Sequence, residues 1–253
     1  MLKMEEAKEY FKSYVKNFDI NEKQIIGKYE HTFRVMEISK NIAESIGLNE
    51  EQIEIATFIA LFHDISRFEQ YTKYKTFNDL VSFDHGDYAV EILEKSNILE
   101  EFSADGKVKD IIKKAIKNHN KFRIDSSLNE EEQIYAKIIR DADKLDILYL
   151  TMIMYFIAED RKEKIENGII LENVMEHFRN REDILKTKDF KEIDSFLIYL
   201  GFTFDFNYKY SFEVLKKEDY INKIIDNFDF KNEETCKNIN EIKNIINEYI
   251  YNK

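Results

Sequence analysis

No proline interrupts this chain, and glycine occurs only six times in 253 residues. Tight turns therefore have few residues to build on, and helices meet few breakers. Apolar residues recur three and four positions apart, which predicts an all-α protein. Val35, Ile38, Ile42 and Ile46 form one such stripe, His31 extends it backward, and Gly47 is placed to cap its end. Asn49 followed by Gln52, and Asn129 followed by Glu132, are capping-box pairs that predict two more helix starts. The first of these helices runs through Ile53, Ala56, Ile59 and Ala60 into His63-Asp64. The second is apolar on nearly every side and carries Asp141, Asp143 and Asp146, so periodicity leaves open which aspartate faces inward. Val108, Ile111, Ile112, Ala115 and Ile116 predict a helix whose apolar face ends at His119, and His85 opens a short one carrying Ala89, Ile92 and Leu93. Gln70 to Phe83 has no clear period and is expected to be a loop. Met152, Met154, Tyr155 and Phe156 are expected in the core, and Ile239, Ile242, Ile246 and Tyr249 predict an amphipathic helix near the end of the chain.

Charge and composition narrow the function classes. The formal net charge of -12 disfavours extensive nucleic-acid binding, which relies on a basic face to release counterions. A small anionic ligand stays compatible with it where lysine and arginine cluster locally. One cysteine, Cys236, forms no intramolecular disulfide and cannot build a thiolate-rich zinc site, which fits a reducing compartment. Residues 1–18 mix charge into their apolar positions, unlike a signal peptide, and no run of about 20 uncharged apolar residues occurs. The expectation is a cytoplasmic protein with no membrane partner.

The five histidines carry the sharpest signal. Four of them fall with aspartates in the order His31, His63-Asp64, His85, His119, Asp141/Asp143. Any one alone reads as a hydrogen-bonded core histidine. Grouped on the apolar sides of separate helices they read differently, because burying so many titratable groups without a cation is costly. Imidazole and carboxylate are ligands of transition-metal ions, so the group predicts a buried metal centre. His177 has no partner in this order and is expected to be structural.

These residues carry a resemblance. His31, then Ala60-Leu61-Phe62-His63-Asp64-Ile65, then Ala142-Asp143-Lys144-Leu145-Asp146, resembles the HD-domain superfamily of metal-dependent phosphohydrolases over about residues 24–155. His63 to Gln70 resembles a bacterial group with a His-Asp-Ile-Gly-Arg-Phe pattern, with Ser66 where glycine is common. The resemblance implies an HD-type helical core, residues 1–158, with a C-terminal helical extension, 159–253, packed on it as part of one unit. It implies one or two divalent metal ions (Mn, Fe, Co, Ni, Mg or Zn). His31, His63, Asp64 and Asp143 would hold the first, and His85 and His119, with Asp64 bridging, the second.

The implied activity is hydrolysis of a small phosphate ester, a nucleotide among the candidates, by metal-activated water. Asp64 fixes the ions and Arg67 meets the phosphoryl oxygens in that scheme. Lys144 and Lys75 are candidate substrate contacts, and Lys73, Lys121 and Arg123 candidate mouth residues. Asp141 and Asp146 are expected to accept from histidine N–H groups or to lie on the helix surface, and Asp84 and Asp87 to cap the helix of His85. The same ligand order also resembles HD-fold di-iron oxygenases, and relatives that have lost ligands are non-catalytic binding modules. A homo-oligomer is compatible with the C-terminal helices.

Overall fold

Asn49 accepts from the backbone N–H of Gln52 at 3.0 Å, and the Gln52 side chain accepts from the backbone N–H of Asn49 at 3.0 Å. Asn129 and Glu132 make the same reciprocal pair at 3.0 and 2.9 Å. Both satisfy donors that a helix start leaves open, so the helices begin where the sequence predicts. A computed structural model describes residues 2–102, 105–155 and 157–253. Among these residues every regular element is a helix.

The chain forms two compact units, Met1–Ala142 and Asp143–Lys253. The first contains α1 (Met4–Val15), α2 (Lys23–Ser45), α3 (Glu50–Phe62), α4 (Ser66–Tyr74), α5 (His85–Lys95), α6 (Ile98–Phe102), α7 (Gly106–Asn118) and the start of α8 (Glu130–Met152). α3 packs on α2, α1 and α7, while α5 packs on α4 and α7. Four of these helices deliver the grouped histidines. Phe11, Phe58, Phe62 and Phe68 are fully buried, and the Phe11 ring meets Phe62 and Phe68 edge-on at 6.2 and 5.8 Å. Each such side chain contributes about 1.5–3 kcal/mol of burial, which makes this cluster a firm floor for α3 and α4.

The second unit contains the end of α8 and α9 (Glu159–Glu166), α10 (Glu172–Asn180), α11 (Glu192–Gly201), α12 (Lys209–Glu218), α13 (Tyr220–Asp226) and α14 (Glu233–Tyr251). α11 packs on α9 and α10, and α14 packs on α10, α12 and α13. Ile239, Ile242 and Ile246 of α14 are buried as their spacing predicts, and Tyr249 is half-buried. His177 sits half-buried on α10, with Nδ1 3.9 Å from Glu182.

Three expectations need correction. α4 continues to Tyr74, so the loop is shorter than Gln70 to Phe83 and begins at Lys75, whose φ of 52° ends the helix. The helix escapes a periodicity reading because its buried side includes Ser66 and Gln70 beside Phe68. On α2 the buried stripe runs through His31, Val35, Ser39 and Ile42, whereas Ile46 lies at the exposed end of the helix. Gly47, at φ +78°, closes that end with its N–H on the Glu44 carbonyl at 3.0 Å. Met152, Met154 and Tyr155 are half-buried and so not core residues, and Phe156 lies outside the described residues.

Candidate metal centre

A helix ends with carbonyls that lack intrahelical partners, and two helices here end on a histidine. His63 follows α3 and its Nδ1 donates to the Ala60 carbonyl at 2.7 Å. His119 follows α7 and its Nδ1 donates to the Ile116 carbonyl at 2.6 Å. A carbonyl accepts only, so each Nδ1 carries the proton and each Nε2 keeps its lone pair. His85 reaches the same state differently, with Nδ1 donating to Asp79 Oδ2 at 2.5 Å.

Those lone pairs converge. Nε2 of His85 and Nε2 of His119 lie 3.0 Å apart, an approach that a cation shared between the two lone pairs makes favourable. Asp64, 3 % exposed, stands between the two sets of rings. Its Oδ2 is 3.6 Å from Nε2 of His31 and of His63, and its Oδ1 is 3.6 Å from Nε2 of His85 and of His119. These separations are too long for hydrogen bonds. They are close to the roughly 3.0–3.4 Å expected between two ligand atoms that share an ion at about 2.1 Å. Asp64 Oδ1 is buried and accepts no hydrogen bond. The donor atoms of His31, His63, Asp64 and Asp143 all lie within 4.8 Å of one another, as do those of Asp64, His85 and His119. The residues therefore fit divalent ions, with one carboxylate oxygen facing each set.

Charge agrees with that geometry. Burial alone would raise the Asp64 pKa, but the Lys28 ammonium, with the Arg67 guanidinium beside it, outweighs burial and holds the carboxyl well below its usual range. Burial, helped by the Arg67 charge, pushes His85 down to about 3. The carboxylate is thus ionised and that imidazole neutral, the states in which each ligates metal.

Other candidates fall in different places. Arg67 donates Nη1 to Gln70 at 2.6 Å, to the Phe77 carbonyl at 2.7 Å and to Asp79 at 2.9 Å, with Nε 3.4 Å from Asp64 Oδ1. Lys75 is exposed and paired with Glu22 at 2.9 Å, and Lys144 is buried against Asp205. Lys121 pairs with Asp84 at 2.5 Å and Asp87 at 3.1 Å. Asp84 caps α5 through the N–H of Asp87. Asp141 and Asp146 are both buried, which removes the helix-surface reading. Ser66 donates its hydroxyl to the His85 carbonyl at 2.7 Å, so the side chain that replaces a common glycine ties α4 to α5.

Two residues were missed. Lys28, 2.6 Å from Asp64 Oδ2, precedes His31 by three positions and so shares its helix face. That spacing was a usable signal. Asp79 lies in the loop after α4, where the sequence offers no pattern.

No curated protein and no solved structure matches the chain. Residues 29–148, a little under half of the chain, match the model of the HD domain family. That stretch contains every donor of both sets, and the HD domain it is similar to is an all-α fold.

Proposed function

We propose that this protein is a metal-dependent phosphohydrolase that cleaves a small phosphate ester, a nucleotide among the candidates, and that its centre holds two ions. The observation that carries the reading is Asp64 with one oxygen turned toward His31 and His63 and the other toward His85 and His119. A divalent ion bound there supplies a Lewis acid that activates water and neutralises phosphoryl oxygens.

The chain's own residues do the rest. Asp64 stays ionised and joins the two sets of rings. His63 and His119 are held by helix-end carbonyls, so their lone pairs need no reorganisation when a ligand arrives. Lys28 and Arg67 flank Asp64 with positive charge, which favours an anionic substrate in a chain that is acidic as a whole. Lys75 and Lys144 pair with Glu22 and Asp205 and stay candidate substrate contacts. The His63-Asp64-Ile65-Ser66-Arg67-Phe68 stretch supports placing the chain with the bacterial group it resembles.

The test is phosphate release from a panel of nucleotides and phosphomonoesters, with manganese, cobalt, nickel, magnesium or iron added. Turnover that is abolished by chelator and by Asp64→Asn is expected. Absence of turnover with every ion, while metal remains bound, would overturn the hydrolase reading.

A further inference from the structure

His63 and His119 stand at helix C-termini and find a carbonyl three residues back. His85 cannot do this, because it is the first residue of α5 and a helix start offers free N–H groups rather than free carbonyls. Its Nδ1–H needs an acceptor from elsewhere. We propose that Asp79 is that acceptor and acts as the positioning residue for the second ion, setting whether the centre holds one ion or two. The inference rests on the two-ion reading above.

Asp79 is placed to do this, and the other group at His85 Nδ1, the Asn120 amide, turns its Nδ2 donor to it at 3.3 Å. It opens a 3-10 turn, Asp79–Val81, whose start is capped by the Asn78 side chain on the N–H of Leu80 at 3.1 Å. Both its oxygens are occupied. Oδ1 accepts from Arg67 and from Gln70, each at 2.9 Å, while Oδ2 accepts from His85 Nδ1 at 2.5 Å and from Asn120 at 3.3 Å. Its neighbours Leu80 and Val81 are 78 % and 64 % exposed, so apolar burial does not anchor the turn there. The Asp79 carboxylate does. It fixes the proton of His85 on Nδ1 and thereby turns Nε2 toward His119 and Asp64. Through the same group the loop joins Arg67, whose Nε lies 3.4 Å from Asp64 Oδ1, to His85. An outer carboxylate of this kind orients the ring and raises its basicity, and removing one typically lowers metal affinity 10–100-fold.

The experiment is a calorimetric titration of metal-free wild-type protein, Asp79→Asn and Asp79→Ala with cobalt. Nitrogen-15 spectra of the histidine side chains are recorded in parallel. The wild type is expected to take up two equivalents. In the variants the first should bind within about threefold of wild type and the second about 10–100-fold more weakly. The His85 ring should lose its single Nδ1–H form while His63 and His119 keep theirs. Asp79→Ala guards against an asparagine oxygen taking over as acceptor. Equal weakening of both equivalents, or an unchanged second one, overturns the role of Asp79 alone. A wild type that takes up a single equivalent overturns the two-ion reading and this inference with it.

Discussion

Lys28 places its ammonium 2.6 Å from Oδ2 of Asp64, and both side chains are buried. In the absence of a metal ion this ammonium is the closest positive charge on a carboxylate that would otherwise be costly to bury. An arriving ion and the ammonium then compete for one oxygen. Lys28→Met is therefore expected to lower the stability of the metal-free protein by about 3 kcal/mol and to tighten metal binding. Thermal melts with and without cobalt should show a wider gap in the variant. A gap equal to that of wild type would contradict the competition.

Gly86 keeps α5 close to α7. A Cβ at this position would lie 2.5 Å from Asn120 Oδ1 and 3.2 Å from the Ile116 carbonyl, and Asn120 is held by Asp84 at 2.9 Å. Gly86→Ala is expected to part the two helices by a few tenths of an ångström and to cost roughly 1–3 kcal/mol. Because His85 and His119 ride on those helices, the second metal equivalent should weaken more than the first. Calorimetry separates the two, and equal affinities before and after substitution would contradict the assignment.

Arg140, 2 % exposed, serves the other side of the same helix end. Its guanidinium reaches the carbonyls of Asn118 at 3.1 Å, of His119 and Phe122 at 3.4 Å, and of Lys121. These groups have no helical partners, and a planar fork meets several at once where a lysine cannot. Arg140→Met is expected to destabilise the fold by about 3 kcal/mol, and Arg140→Lys to recover only part of it. Denaturant melts measure both, and a neutral Arg140→Met would refute this role.

Helix class and several boundaries were legible because they are local. Asn49 with Gln52, Asn129 with Glu132, and Gly47 act within a few residues of chain, and each does in the structure what its pattern predicts. The histidines that converge were also legible, as a group, because five histidines in so long a chain make their ordered pairing with aspartate conspicuous. Their tautomers were not. Those depend on His63 and His119 being the residue after a helix end, which requires boundaries accurate to one position. Arg67 could be placed near Asp64 by its spacing, but its bonds to Phe77 and Asp79 depend on how the loop folds back. Lys75 and Lys144 pair with carboxylates distant in sequence, Glu22 and Asp205, and no local pattern announces either pair.

The central claim is that Asp64 joins two ion sites through its two oxygens. Anomalous diffraction from crystals of cobalt-loaded protein, recorded at the cobalt edge, tests it most directly. One peak is expected among His31, His63, Asp64 and Asp143, and a second among Asp64, His85 and His119. Peaks located only elsewhere, with these side chains free of metal, would contradict the account.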